Sequence, residues 1–126
     1  MTKRLPRILL ALAALILAVG GLMHTSAFPK TASVVAASDL APFYAASLKA
    51  LWLIDSATLF TLAAVFGLIA ARPSLAARWV VVLLAIIPAA TAVLLYTFIG
   101  NFVAAHMLVA AAAAALFGGL GLRTAA

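Results

Sequence analysis

Four long apolar runs occupy most of the sequence and restrict the folds that are open to it. They predict helices at about residues 5–24, 42–71, 79–99 and 102–122. Each run is near the ~20 residues that an α-helix needs to cross a ~30 Å hydrocarbon layer. The runs are continuous rather than alternating, which favours helices over the strands of a barrel. The predicted fold is all-α and integral to the membrane: an antiparallel four-helix transmembrane bundle that forms a single domain of residues 1–126.

The composition agrees with a protein whose solvent is lipid. Of the 126 residues, 69% are hydrophobic and only 8% are charged, whereas a soluble domain has roughly 45–50% apolar and about 25% charged residues. A water-soluble fold of this size could not cover so much apolar surface. The chain has no cysteine, which excludes disulfides, thiolate nucleophiles and iron–sulfur clusters.

The net charge of +6 does not indicate nucleic-acid binding, because the basic residues form no stripe with interleaved aromatic residues. They lie instead at the ends of the apolar runs. One side of the predicted bundle carries six of them, and the other side carries two: Lys3, Arg4, Arg7, Arg72, Arg78 and Arg123 against Lys30 and Lys49. The positive-inside rule then predicts a bacterial inner-membrane protein with both termini cytoplasmic and an outward loop at about residues 25–41.

The links between the runs are short enough to predict antiparallel neighbours. Residues 72–78 form a charged turn that contains Pro73, and Gly100-Asn101 forms a tight turn. Ser38-Asp39 is a candidate cap for the second helix, with Pro42 tolerated in its first turn. The basic N-terminus and first run also resemble a secretory signal peptide, but Thr25-Ser26-Ala27 is a poor cleavage site and the run is long, so we expect this segment to be retained.

Each run also carries one polar residue at nearly the same distance from an arginine. These residues are His24, Asp55, Tyr96 and His106, and each lies 17 or 18 residues from Arg7, Arg72, Arg78 or Arg123. At 1.5 Å per residue, all four groups are predicted to lie ~26 Å from the arginine face, in one layer on the inner side of the bundle. Asp55 is the only acidic residue within a run, and an ionised carboxylate there costs roughly 2.5–3.5 kcal/mol.

This layer is the candidate ligand site. Its predicted residues are His24, Asp55, Tyr96 and His106, completed by Trp52 and Asn101 at the outer ends of their runs. Two imidazoles and a carboxylate suit a divalent transition metal such as zinc, iron or copper, with His24, Asp55 and His106 as ligands. Tyr96 and Asn101 would then hydrogen-bond to the ligands without binding the metal themselves. A haem held by the two histidines is the alternative, with Gly20-Gly21 leaving room for the ring.

Three functions stay open from the sequence. The first is an outward-facing site near the outer leaflet that binds a metal, haem or small polar ligand. The second is a proton-coupled small-molecule transporter formed by an oligomer, using the same histidines and aspartate as a relay. The third is an accessory or assembly subunit of a larger membrane complex. No hydrolytic elbow or phosphate-binding loop is present, so no enzymatic reaction is predicted.

Overall fold

The computed structural model describes residues 4–122, and within that range every regular element is helical. The four α-helices are α1 (Leu5–Ala36), α2 (Pro42–Ala71), α3 (Arg78–Phe98) and α4 (Val103–Leu120). Each is long and apolar enough to cross a membrane. The predicted all-α four-helix membrane bundle is therefore confirmed. Lys3 and Arg123, which entered the charge and spacing arguments, lie outside the described residues.

The helices run alternately up and down, but they are not packed in chain order. The α1 helix packs against α2 and α4, and α4 also packs against α3, whereas α2 and α3 share few close contacts. Ala76 and Ala77 are extended, so the link 72–78 joins α2 to α3 without holding them together. The sequence interpretation of α2 and α3 as packed neighbours is thus corrected. In lipid, apolar side chains gain little by merely meeting, so a short link alone does not enforce packing.

Small residues make the contact between α1 and α4. Ala111 and Ala115 are fully buried, and a Cβ at Gly118 would lie 2.9 Å from Leu10 Cγ and 3.1 Å from the Pro6 carbonyl oxygen. The same helix approaches α3 through Gly119, where a Cβ would lie 2.9 Å from Val81 Cγ1. Close backbone approach of this kind is the usual basis of helix association in a bilayer.

The first helix is longer than predicted. It continues through Pro29 to Ala36, and so occupies most of the segment 25–41 that was expected to be an outward loop. A proline inside a helix removes a backbone hydrogen bond and crowds the preceding turn, at a cost of ~3 kcal/mol. Val35, which is 8% exposed, is buried near the end of α1, so the helix is anchored beyond Pro29, although burial of this one valine, at ~1.5–3 kcal/mol, does not by itself exceed that cost.

The α1–α2 connection is also capped differently from the prediction. Pro42 does occupy the first turn of α2, but the N-cap is Ala41 and no side chain caps it. The Ser38 hydroxyl instead donates to the Val35 carbonyl oxygen at 2.6 Å, which satisfies the end of α1. The serine therefore terminates one helix and does not start the next.

The two long helices project beyond the other two. At 1.5 Å per residue, the 32 residues of α1 and the 30 of α2 give lengths of ~48 and ~45 Å. The 21 residues of α3 and the 18 of α4 give ~32 and ~27 Å. We call residues 28–50 the projecting hairpin, because they extend past the turn that joins α3 to α4. Gly100 in that turn has φ +90°, a conformation that favours glycine.

At the opposite end, an arginine of α1 holds the end of α2. Arg7 Nε donates to the Ala70 carbonyl oxygen at 2.8 Å, and its Nη2 donates to that of Ala71 at 3.2 Å. These carbonyls belong to the last turn of α2 and have no partner within the helix. A cation there also interacts favourably with the negative end of the helix dipole. Arg7 therefore fixes the register of α1 against α2.

Candidate functional site

A group of polar side chains joins α1 and α2 in the half of the bundle away from Arg7. His24 Nδ1 lies 2.9 Å from Ser56 Oγ, and His24 Nε2 lies 3.4 Å from Asp55 Oδ2. The Trp52 indole N–H donates to the His24 carbonyl oxygen at 2.8 Å. The Trp52 and His24 rings stack with centroids 4.1 Å apart and planes 13° apart. One histidine is thus held by three residues of the facing helix.

Helical spacing explains why the facing residues meet a single histidine. Trp52, Asp55 and Ser56 stand at i, i+3 and i+4 and therefore lie on one face of α2. One turn below His24, Gly21 allows close packing, since a Cβ there would lie 3.1 Å from the Phe60 ring. The small residue at position 21 and the polar face of α2 together place the imidazole between the helices.

The hydrogen-bond network defines how His24 is oriented. The Ser56 hydroxyl lies 2.9 Å from His24 Nδ1 and 3.1 Å from the Trp52 carbonyl oxygen, and because a hydroxyl both donates and accepts, it can pair with Nδ1 in either tautomer of the ring. When the ring is protonated, Nε2 donates toward Asp55. The charge of His24 is therefore coupled to that of the carboxylate, while Ser56 holds the ring in both states.

His24, Trp52 and Asp55 line a cavity of about 510 Å³. All four helices contribute to it, and most of its lining is apolar. The residues around it are Ile16, Leu17, Gly20, Met23, His24, Ala27, Trp52, Asp55, Leu59, Thr91, Leu95, Ile99, Phe102, Ala104, Met107 and Leu108. The side chains of His24 and Asp55 are 25% and 40% exposed. Their polar atoms are therefore accessible at one end of a largely apolar space.

The other two residues of the predicted layer form a separate pair. The Tyr96 hydroxyl hydrogen-bonds His106 Nδ1 at 2.5 Å, and Tyr96 lines a different groove of about 380 Å³ between α3 and α4. On α3 the cavity is lined by Leu95 and Ile99, and a helix turns by about 100° per residue, so Tyr96 faces elsewhere. The expectation that all four polar residues point into one site is therefore corrected.

The predicted metal centre is not formed. Among residues 4–122, no group of three histidine, aspartate or glutamate side chains could hold a metal ion. His24 and Asp55 are together, but His106 is paired with Tyr96 across another helix contact. The two histidines do not meet as axial ligands of one haem for the same reason, since His106 does not line the cavity that holds His24.

The remaining predicted residues have different outcomes. Trp52 belongs to the site, both through its stack on His24 and through the cavity lining. Asn101 is exposed in the α3–α4 turn and does not line the cavity. Sequence reasoning missed Ser56, although its position four residues after Trp52 and next to Asp55 places it on the same helical face.

The arrangement is suited to binding rather than to nucleophilic chemistry. Ser56 is 5% exposed, does not line the cavity, and already donates to the Trp52 carbonyl oxygen. It therefore lacks the access that a nucleophile needs. The accessible groups are a carboxylate, an imidazole nitrogen and an aromatic ring.

Comparison with known proteins finds no matching family model, no matching curated protein and no matching solved structure. The geometry of the cavity and the identity of its polar residues therefore carry the functional inference.

Proposed function

We propose that this integral membrane protein binds a small amphipathic ligand in the cavity at the outer end of the bundle. The observation that carries the proposal is the cavity of about 510 Å³, which is apolar except for a few polar groups that include His24, Trp52 and Asp55. Ligand pockets in proteins commonly have volumes of ~300–1,000 Å³ with a few polar groups that fix orientation. The polar end of the ligand contacts His24 and Asp55, and its apolar part contacts leucines such as Leu17 and Leu95.

Access to the cavity is from the side. Trp52 and Asp55 of α2 and Leu95 of α3 line it, yet these two helices share few close contacts with each other. The opening between α2 and α3 is thus the route by which a ligand dissolved in the bilayer reaches the polar residues. A ligand that enters this way keeps its apolar part in an apolar environment throughout.

The proposed location is a bacterial inner membrane, with both termini cytoplasmic and the cavity toward the outside. Four arginines lie at one end of the bundle: Arg4, Arg7, Arg72 and Arg78. Lys30 and Lys49 lie in the projecting hairpin at the other end. A bias of basic residues toward one side sets the orientation of a membrane protein, with the basic side cytoplasmic.

The test uses Trp52 as a reporter. The chain has two tryptophans, so the Trp79→Phe variant leaves Trp52 as the only indole. In phosphatidylcholine nanodiscs, 2-bromodecanol should quench Trp52 fluorescence to a saturating level, because its bromine lies next to the hydroxyl group and a bound molecule holds it beside the ring. The blocking variant is Gly20→Leu, since Gly20 lines the cavity and a Cβ there meets no atom within 4 Å. The matched control is Ala11→Leu, at an exposed position of the same helix.

Saturable quenching that is lost in Gly20→Leu and kept in Ala11→Leu supports the proposal. Quenching that rises linearly with the probe and is equal in all three proteins reflects partition into lipid alone. That result would remove the ligand-binding function and leave the accessory-subunit hypothesis as the better account.

A further inference from the structure

We infer that the cavity selects a lipophilic cation, a molecule with an amine or quaternary ammonium group at one end of an apolar chain. This inference rests on the proposed function and names the ligand class for the same site. The juxtaposition that carries it is an exposed, incompletely paired carboxylate beside an indole ring at the polar end of an apolar cavity.

The charge of the cavity favours a cation. Asp55 is its only acidic residue, and within residues 4–122 no lysine or arginine lines it. With Asp55 ionised, the group it forms with His24 has a net charge of −1 when the imidazole is neutral and zero when it is protonated. An anionic ligand meets no net positive charge in either state, whereas a cation meets a net negative charge whenever His24 is neutral.

Asp55 has unused hydrogen-bonding capacity. Within residues 4–122, the contact of its Oδ2 with His24 Nε2 at 3.4 Å is its one polar contact, and no hydrogen bond is formed to it. An ionised carboxylate can accept about four hydrogen bonds, and unpaired acceptors near the edge of the bilayer are costly. The Asp55 side chain is 40% exposed, so its free oxygen positions are available to a donor in the cavity.

An aromatic residue at the same end of the cavity also favours a cation. Trp52 stands one helical turn before Asp55, and both line the cavity. Tryptophan gives the strongest cation–π interaction of the aromatic side chains. His24 stacks on one face of the indole, so a cation at Asp55 would make this interaction with the opposite face. A neutral or anionic group gains nothing comparable from the ring.

The apolar part of the ligand follows from the length of the lining. Along α1 the cavity extends from Ile16 to Ala27, with His24 toward its outer end. The distance from Ile16 to His24 is ~12 Å at 1.5 Å per residue. A decyl chain is a suitable probe for a space of this length, and it allows the head group to be changed while the chain stays constant.

The experiment measures competition among three decyl compounds. In the Trp79→Phe background, decylammonium, decanol and decanoate each displace 2-bromodecanol, and recovery of Trp52 fluorescence gives their relative affinities. We expect decylammonium to bind about tenfold more tightly than decanol, as one charge-assisted hydrogen bond would provide, and decanoate to bind more weakly than decanol. In Asp55→Asn the advantage of decylammonium over decanol should disappear.

The matched control is Asp39→Asn, which removes the only other acidic residue of the chain from the segment between α1 and α2. It changes the net charge equally and should keep the preference for decylammonium. Equal displacement by the three compounds, or a preference that survives Asp55→Asn, would overturn the cation inference while leaving the binding function intact. Failure of 2-bromodecanol to quench Trp52 saturably would remove both the cation inference and the ligand-binding function.

Discussion

At the scale of single residues, the hydrogen bond between Ser56 and His24 orients the imidazole ring in the site. Ser56 is the only buried polar residue among residues 4–122, and its hydroxyl contacts both the His24 ring and the Trp52 carbonyl oxygen. Without it, the imidazole keeps its stack on Trp52 but loses the hydrogen-bond partner of Nδ1.

The Ser56→Ala variant tests this role. We expect a loss of about 1 kcal/mol in the free energy of unfolding, together with a changed nitrogen NMR spectrum of the His24 ring as its protonation pattern is released. The control is Thr58→Ala, whose hydroxyl bonds only the Ile54 carbonyl of its own helix. Equal effects of the two variants on stability and on the spectrum would show that Ser56 does not orient the ring.

Asp55 could be identified as a site residue from the sequence, whereas Ser56, the hydrogen-bond partner of His24 Nδ1, could not. A single acidic residue inside an apolar run is conspicuous because of its cost in lipid. A serine in a helix, by contrast, ordinarily bonds its own backbone, as Ser47 does here, so Ser56 carried no separate signal. The positions of Tyr96 and His106 on another face depend on how each helix is rotated about its axis. The number of residues from an arginine predicts how far along the helix a side chain lies, but not the direction in which it points.

Two contacts between helices determine the arrangement of the elements. One is the small-residue contact of α4 with α1, where Gly118 has no room for a side chain. The other is the capping of α2 by Arg7. Each can be tested with a matched pair of variants.

The Gly118→Ala variant should be destabilised by about 1–3 kcal/mol, the usual range for overpacking, because its Cβ would press on Leu10 and on the Pro6 backbone. The control is Gly67→Ala, where the new Cβ would make an ordinary contact of 3.8 Å with Ala14 and alanine favours the helix. Unfolding in mixed micelles of increasing denaturing-detergent content measures both. A loss at Gly67 as large as that at Gly118 would contradict the close α1–α4 contact.

The Arg7→Met variant keeps the length of the side chain and removes its donors. We expect about 1 kcal/mol of lost stability, because the last carbonyls of α2 lose their hydrogen bonds and their favourable charge. Arg4→Met serves as the control, since Arg4 makes no side-chain hydrogen bond within residues 4–122. The same micelle titration applies, and an equal response of the two arginines would indicate a general effect of charge instead of a cap.

The number of the helices could be predicted from their apolar runs, but the length of α1 could not. Proline and hydroxyl residues after His24 are typical of a loop, whereas the structure continues the helix through them to Ala36 and buries Val35 near its end. The order in which the helices pack was equally hidden. Link length constrains which helices can touch, whereas the stripes of alanine and glycine decide which do.

At the scale of the whole molecule, the arginines lie at one end and the projecting hairpin at the other. Cysteine labelling tests the orientation without a background reaction, because the chain has no cysteine. With intact cells, an impermeant maleimide should label Ser38→Cys in the α1–α2 connection and should label Ser74→Cys, in the α2–α3 link, only after lysis. The opposite pattern would reverse the proposed topology.

The unequal lengths of the helices have a consequence for how the bilayer acts on the protein. The apolar runs of all four helices suit a ~30 Å hydrocarbon layer, but only α1 and α2 continue beyond it, in the projecting hairpin that carries Lys30 and Lys49. In a thicker bilayer α3 and α4 become too short and the bilayer thins around them, while α1 and α2 can place more of the hairpin in lipid. Since α2 and α3 share few close contacts, the two sides of the proposed lateral opening would respond differently to membrane thickness. Binding of 2-bromodecanol, measured by quenching of Trp52, is therefore expected to shift in affinity between nanodiscs of short-chain and long-chain phosphatidylcholine. An unchanged affinity would mean that the two pairs move as one body.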